Sequence, residues 1–93
     1  MSTLIDFVTN LPSYAPDLTI YAVKPWTCDS EAIVAIEPAH GGVPHAAEAC
    51  NAEYLIEMFV AKDFLEGWVR SQVRPPSSRE QCERLIQYAM YDA

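Results

Sequence analysis

Apolar residues recurring at intervals of three and four predict three helices along this chain. The first covers residues 4–11 and ends at Pro12, because proline cannot continue a helix. The second covers residues 63–72 and the third covers residues 78–92. Each of these two later helices begins with capping-box spacing, in which an N-cap side chain and an acidic residue three positions later each accept the other's backbone N–H.

Segments rich in β-branched and aromatic residues predict three strands. These are residues 18–23, 31–37 and 53–59. The second strand is apolar on both faces, which is typical of a strand at the centre of a sheet. Residues 38–44 predict a loop, and residues 45–50 predict one or two helical turns. The order of elements predicts an α+β fold: one domain, residues 1–93, with helices packed on one face of a three-stranded, mainly antiparallel sheet.

Alternation along the strands divides their side chains between two faces. We expect a first, uncharged face to pack on the helices; it holds Leu18, Ile20, Ala22, Ala32, Val34, Ile36, Tyr54, Ile56 and Met58. The second face mixes apolar residues with glutamates: Thr19, Tyr21, Val23, Glu31, Ile33, Ala35, Glu37, Glu53, Leu55, Glu57 and Phe59. An open apolar patch bordered by charge is common at protein-binding sites. The alternatives are a helix that covers this face, or a plain hydrated sheet surface.

The predicted partner-binding residues come mostly from this second face. They are Tyr21, Glu31, Ile33, Glu37, Glu53, Leu55 and Glu57, together with Trp26. Trp26 lies in the connection between the first two strands. It either packs on the core as a lid or anchors a partner, since tryptophan is frequent among the residues that dominate binding energies.

Acidic residues are concentrated in the first part of the chain. Residues 1–57 hold eight acidic residues and one lysine, whereas residues 58–93 hold five acidic and five basic residues. The formal net charge of −7 therefore belongs to the first part. Negative charge argues against direct binding to nucleic acid or to an anionic membrane, because both attract Lys and Arg. We expect a protein partner instead, and a basic one would be electrostatically complementary.

The cysteines and the first residues of the chain favour the cytoplasm. Cys28, Cys50 and Cys82 are odd in number and widely spaced, so a disulfide framework is not predicted. The first residues lack the basic residues and long apolar core of a signal peptide. No apolar run approaches the roughly 20 residues that span a bilayer. A cytoplasmic protein without membrane association is the expectation.

Residues with catalytic or metal-binding chemistry are present, but their spacing is loose. Cys28, His40 and His45 could form a small active site or, with Cys50, a metal site. Structural zinc sites, however, usually use closely spaced ligand pairs. We therefore predict no catalytic residue, no metal ligand and no cofactor. A small enzyme or metal site using Cys28, His40 and His45 stays open as an alternative.

Short segments within the strands and their connections also suggest a family. They are Ile20-Tyr21-Ala22-Val23, Pro25-Trp26, Thr27-Cys28, Ile33-Val34-Ala35, Pro44, Ala47 and Glu53-Tyr54-Leu55. This order resembles a family of small acidic bacterial domains of unknown function, over roughly residues 4–66. The loop 39–43 has fewer acidic residues than that pattern, and residues 73–93 lie outside it. The resemblance implies no catalytic residue. In size and charge such domains are similar, by analogy only, to bacterial immunity proteins and phage anti-defence proteins.

These observations lead to one favoured function and two alternatives. The favoured function is a small, acidic, non-enzymatic protein-binding module, such as an inhibitor or immunity-like protein, that docks on a basic partner through the second sheet face. The first alternative is a homodimeric structural or accessory protein that uses the same face or the helix 78–92. The second alternative is the small enzyme or metal site described above.

Overall fold

A computed structural model describes residues 2–92 and confirms the α+β fold with a three-stranded antiparallel sheet. The elements are α1 (Leu4–Thr9), β1 (Thr19–Val23), β2 (Ala32–Ala35), α2 (His45–Ala49), β3 (Ala52–Glu57), α3 (Met58–Arg70) and α4 (Ser78–Tyr91). A 3-10 turn, Leu11–Ser13, follows α1. Within the described range, none of the helices has the length and apolarity needed to cross a membrane.

The strand order in the sheet is β2-β1-β3, so β1 is the central strand and the prediction of a central β2 is wrong. β2 is apolar on both faces because two separate clusters contact it. Ala32 and Val34 pack in the main core, while Ile33 and Ala35 contact a second cluster on the opposite side. The segment before α1 covers part of the free edge of β2, where the Ala32 N–H donates to a backbone carbonyl at 3.1 Å.

A β-bulge in β3 changes which side chains face the core. Ile20 lies opposite Ile56 and Tyr21 lies opposite Tyr54, so Leu55 is an extra residue in β3. Leu55 therefore joins the core and is only 3% exposed. Tyr54 lies on the other side of the sheet beside Tyr21. The sequence-based placement of Tyr54 and Leu55 on their faces is wrong, because an inserted residue reverses the alternation beyond it.

The face of the sheet that carries Ile20 and Ala22, the inner face, packs against α1, α3 and α4. Leu4, Leu65 and Leu85 are buried there, one from each helix. Burial of such a side chain is worth roughly 1.5–3 kcal/mol, so this layer supplies most of the stability.

The boundary between β3 and α3 differs from the prediction. The strand was expected to continue to residue 59, but α3 begins directly after it at Met58. Met58, Ala61 and Leu65 are buried at helical spacing and fix this start. Ile36, expected in the core, lies beyond the end of β2 and is 57% exposed.

The opposite face, which carries Thr19 and Tyr21 and is called the outer face, is partly covered by α2. Ala47 of α2 is fully buried against Tyr21 and Ala52. The prediction that helices pack on one face thus holds for α1, α3 and α4 but not for α2. Asn51 ends the α2 segment with a φ of 63°, a left-handed conformation that asparagine tolerates at the end of a helix.

The N-termini of α1 and α4 make the stability of the fold acid-sensitive. The Thr3 backbone N–H donates to the Asp6 carboxylate at 2.9 Å and lowers the pKa of that group. The Ser77 backbone N–H does the same for Glu80, with a further contribution from Arg74. These contributions are present above the unfolded pKa and are lost as the pH falls through the depressed folded pKa. We expect the thermal midpoint to fall with pH, starting near the ordinary glutamate value of 4.5.

A thermal scan of the Asp6→Asn, Glu80→Gln double variant between neutral and acidic pH checks this expectation. The double variant is expected to be less stable than the wild type at neutral pH and to show a flatter decline towards acid. A pH profile with the same slope as that of the wild type would show that other carboxylates cause the acid sensitivity.

Candidate functional site

Two tyrosines and two glutamates meet on the outer face at the border of the area covered by α2, where Tyr21 packs against Ala47. Glu57 lies opposite Thr19, and Tyr54 lies opposite Tyr21 in the next outer-facing row. Glu37 follows β2 and acts electrostatically on both tyrosine hydroxyls. We call Tyr21, Glu37, Tyr54 and Glu57 the Tyr–Glu cluster.

The two tyrosines of the cluster differ in exposure. Their rings meet edge to face, with centroids 6.2 Å apart and an interplanar angle of 84°. Tyr21 is fully buried, whereas Tyr54 is 43% exposed. The Tyr54 hydroxyl donates a hydrogen bond to Oε1 of Glu57 at 3.2 Å. Tyr54 thus presents an aromatic surface to solvent with its polar end held by a carboxylate.

Charge and burial keep both hydroxyls protonated. Burial raises the pKa of Tyr54 to about 12, helped by the neighbouring charge of Glu57. The pKa of Tyr21 is also raised, first by burial and then by Glu37. The cluster therefore combines two neutral phenols with carboxylates at neutral pH.

No basic side chain within residues 2–92 forms an ion pair with Glu37 or Glu57. The ion pairs observed there join Lys24 to Glu53, Arg70 to Glu66, Arg74 to Glu80, and Arg79 to Asp29. Several acidic residues in the helices and in the connection between β1 and β2 thus form ion pairs with arginines. The cluster carries negative charge without such a partner, so it attracts cationic groups.

The Tyr21 hydroxyl is a buried polar group without a hydrogen bond among the described residues. The Thr19 side chain lies nearby but does not complete one. A buried hydroxyl without a partner costs about 1–3 kcal/mol, so natural proteins rarely keep one. Its presence near the Glu37 carboxylate is the least expected feature of this face.

The structure brings together only some of the residues that the sequence predicted to bind a partner. Glu37 and Glu57 belong to the cluster, and Tyr21 lies buried beside Tyr54. Leu55 lies on the inner face and cannot contribute to the outer surface. The patch of Tyr21, Ile33 and Leu55 expected from alternation is therefore not formed.

The other predicted residues are distributed around the sheet. Ile33 is half-buried and packs against the cluster formed with Ala47 of α2. Glu31 forms an isolated antiparallel β-bridge with Thr3 next to the start of β2. Glu53 pairs with Lys24 at 3.8 Å. Trp26 packs on the inner core as a lid, with its Nε1–H donating to the Ala22 carbonyl at 3.0 Å.

The residues of the enzyme or metal alternative are not brought together. Cys28 is buried in the inner core, with Sγ 3.8 Å from the Arg79 carbonyl oxygen. His45 begins α2, which packs on the outer face, and His40 is exposed in the preceding loop. Residues 2–92 contain no group of three His, Cys, Asp or Glu side chains arranged to hold a metal ion.

Tyr54 is the cluster residue that sequence reasoning placed on the wrong face. Simple alternation assigns it to the core, and only the bulge at Leu55 moves it outward. The sequence holds no specific signal for the bulge, since Leu55-Ile56 is a pair of consecutive aliphatic residues like Ile33-Val34, which forms a regular strand with its two side chains on opposite faces.

Comparison with known proteins adds no family assignment. No family model, no curated protein and no solved structure matches this chain. The resemblance to small acidic bacterial domains therefore stays a prediction. We therefore infer the function from the geometry of the site.

Proposed function

We propose that this protein is a non-enzymatic protein-binding module that docks on a basic surface of a protein partner through the Tyr–Glu cluster. The observation that carries the proposal is the pair of carboxylates Glu37 and Glu57, which have no ion-pair partner among residues 2–92 and lie near the exposed ring of Tyr54. Aromatic residues are enriched at interfaces, and complementary charge selects the partner and raises the association rate.

The surroundings of the cluster support an interface. α2 packs on Tyr21, so the docking surface consists of the side chains that stay accessible, those of Glu37, Tyr54 and Glu57. An exposed aromatic ring with charges around it has the composition of a protein interface.

Within this proposal we place the module in the bacterial cytoplasm as an inhibitor or immunity-like protein. The resemblance over roughly residues 4–66 supports the bacterial setting. The three cysteines are odd in number and widely spaced, which supports a reducing compartment. A nuclease or another nucleic-acid-handling protein fits as the target, because such proteins carry basic surfaces. An acidic inhibitor would occupy that surface in place of nucleic acid.

A second copy of the chain fits this surface poorly. A symmetric dimer places the same patch of each protomer against the other, which would bring like-charged carboxylates together. A homodimer would use α4 as its interface more readily, because Met90 and Tyr91 of that helix are 52% and 74% exposed. We expect sedimentation equilibrium to give the monomer mass of 10.4 kDa. A dimer that dissociates when Met90 is replaced by Gln would support the alternative instead.

Charge reversal on the cluster provides the direct test. The Glu37→Lys, Glu57→Lys variant and the wild type are immobilised and used to capture proteins from nuclease-treated bacterial lysate. The matched control is Asp63→Lys, Glu83→Lys, which makes the same change in net charge at two exposed helical positions outside the cluster. Circular dichroism establishes that all three proteins are folded.

We expect the wild type and the control to retain the same basic proteins. The cluster variant should bind them at least about tenfold more weakly, a loss of ~1.4 kcal/mol. The physical reason is that like charges replace complementary ones at the centre of the interface. Equal retention by all three proteins, or equal loss in both variants, would contradict the proposal.

A further inference from the structure

The Tyr21 hydroxyl gives the Tyr–Glu cluster a feature that a general acidic surface lacks. It is buried, it has no hydrogen-bond partner in the described part of the chain, and the charge of Glu37 acts on it. A phenol oxygen can accept hydrogen bonds as well as donate one. An unused acceptor near the Glu37 carboxylate, with Glu57 at the neighbouring Tyr54, is a preformed part of a site for a hydrogen-bond donor.

The acceptors of the cluster come from all three strands or their ends. Tyr21 belongs to β1, Glu37 follows β2, and Glu57 ends β3. Strands position side chains more rigidly than loops do, which favours precise recognition. The ring of Tyr54 adds an aromatic surface next to these acceptors.

A guanidinium group matches this combination. It presents five N–H donors in a fixed plane, carries a positive charge, and stacks on aromatic rings. An ammonium group has three donors, is more strongly hydrated and does not match a planar aromatic surface in the same way. The shape of the donor set therefore distinguishes arginine from lysine here.

We propose that the Tyr–Glu cluster is a recognition site for one arginine side chain of the partner, with the Tyr21 hydroxyl as its buried acceptor. The proposal rests on the proposed function and names the chemistry of the group that the partner inserts. Glu37 and Glu57 bind the guanidinium by charge-assisted hydrogen bonds, and the Tyr54 ring packs on its face.

Binding of an arginine at the Tyr21 hydroxyl requires the Tyr54 ring, which meets the buried Tyr21 ring edge to face, to move aside. The Tyr54 side chain is 43% exposed, and its hydroxyl is held by one hydrogen bond to Glu57. An arriving guanidinium competes for the same Glu57 carboxylate and releases Tyr54, and exposed side chains rotate on picosecond to nanosecond timescales. The rotation uncovers the cluster and places the aromatic ring beside the incoming group.

An NMR titration with acetyl-arginine amide tests this site on the intact protein. The matched probe is acetyl-lysine amide at the same ionic strength, and the signals followed are the ring resonances of Tyr21 and Tyr54. The Tyr21→Phe variant removes only the hydroxyl oxygen and its proton. Tyr14→Phe is the control, because Tyr14 packs beside Phe7 on the inner side of the sheet.

We expect the arginine probe to shift both ring signals and to bind more tightly than the lysine probe. Tyr21→Phe should weaken binding of the arginine probe about tenfold, because it removes a hydrogen bond to a charged group. Its thermal midpoint should equal or exceed that of the wild type, since the hydroxyl is unpartnered in the free protein. Tyr14→Phe should bind the probe as the wild type does.

Equal affinity for the two probes, or unchanged arginine binding by Tyr21→Phe, would overturn the arginine site. The same Tyr21→Phe protein is then used in the capture experiment. If it retains the basic partners while the Glu37→Lys, Glu57→Lys variant loses them, the arginine site is wrong and the proposed function stands. If none of these variants changes retention, the proposed function also fails.

Discussion

A Leu55→Asn variant is expected to lose a large share of its stability, about 3–8 kcal/mol, whereas a Tyr54→Asn variant keeps its fold. Leu55 is 3% exposed in the inner core, so the substitution removes a large apolar side chain and buries an amide without a partner. Large-to-small core changes cost ~2–5 kcal/mol, and an unsatisfied polar group adds about 1–3 kcal/mol. Small domains have only about 5–15 kcal/mol in total.

Tyr54 makes a matched comparison because it is the adjacent residue on the same strand. Its side chain is 43% exposed on the outer face, so Asn there remains in contact with water. Urea unfolding followed by circular dichroism measures both variants. If Tyr54→Asn were the destabilised variant and Leu55→Asn the stable one, simple alternation would hold and the bulge in β3 would be wrong.

An Ala47→Asp variant is expected to release α2 from the sheet. Ala47 is fully buried against Tyr21 and Ala52, so an aspartate there is an unpaired buried charge. Keeping that charge buried costs about 3–5 kcal/mol. For a five-residue helix, undocking is the less costly response. We expect the thermal midpoint to fall by roughly 10 °C or more and the amides of residues 45–50 to exchange faster.

Ala46→Asp is the control for this change, since it places the same side chain on the exposed side of the same helix. An acidic residue near a helix N-terminus is mildly favourable, so its midpoint should stay near that of the wild type. Hydrogen exchange read by mass spectrometry compares the two proteins. Similar exchange rates in residues 45–50 of both variants would show that α2 does not cover the outer face.

The helix ends were readable from the sequence only in part: the capping box expected at Asp63 is wrong, because Asp63 lies inside α3, which begins at Met58. The Ser77–Glu80 capping box forms as predicted, and α4 begins at Ser78. Thr3 caps α1 through Asp6, and Asn51 takes the left-handed conformation after α2. These features depend on residues within three or four positions of one another, so local chemistry alone determines them.

The sheet arrangement was less predictable because it depends on distant contacts. β2 is apolar on both faces at the edge of the sheet, since α2 and the inner helices cover its two sides. A strand that is apolar on both faces indicates that both faces are buried, but the pattern does not identify the elements that cover them. For the same reason the sequence could not place α2 on the outer face.

The candidate site could be predicted only in part. The concentration of unbalanced acidic residues before residue 58 indicated an acidic surface, and Tyr21, Glu37 and Glu57 were among the predicted residues. The outward position of Tyr54 depends on the bulge, and the burial of Tyr21 depends on neighbouring elements. A buried hydroxyl without a partner is a property of three-dimensional packing, and no local pattern encodes it.

Hydrogen exchange of the wild-type protein with and without a captured basic partner tests the central claim most directly, because it maps the surface that the partner covers. We expect slower exchange in residues 33–37 and 52–57, which carry the Tyr–Glu cluster and its strands, and unchanged exchange in residues 78–91 of α4. Slower exchange confined to residues 78–91, with residues 33–37 and 52–57 unchanged, would contradict this claim.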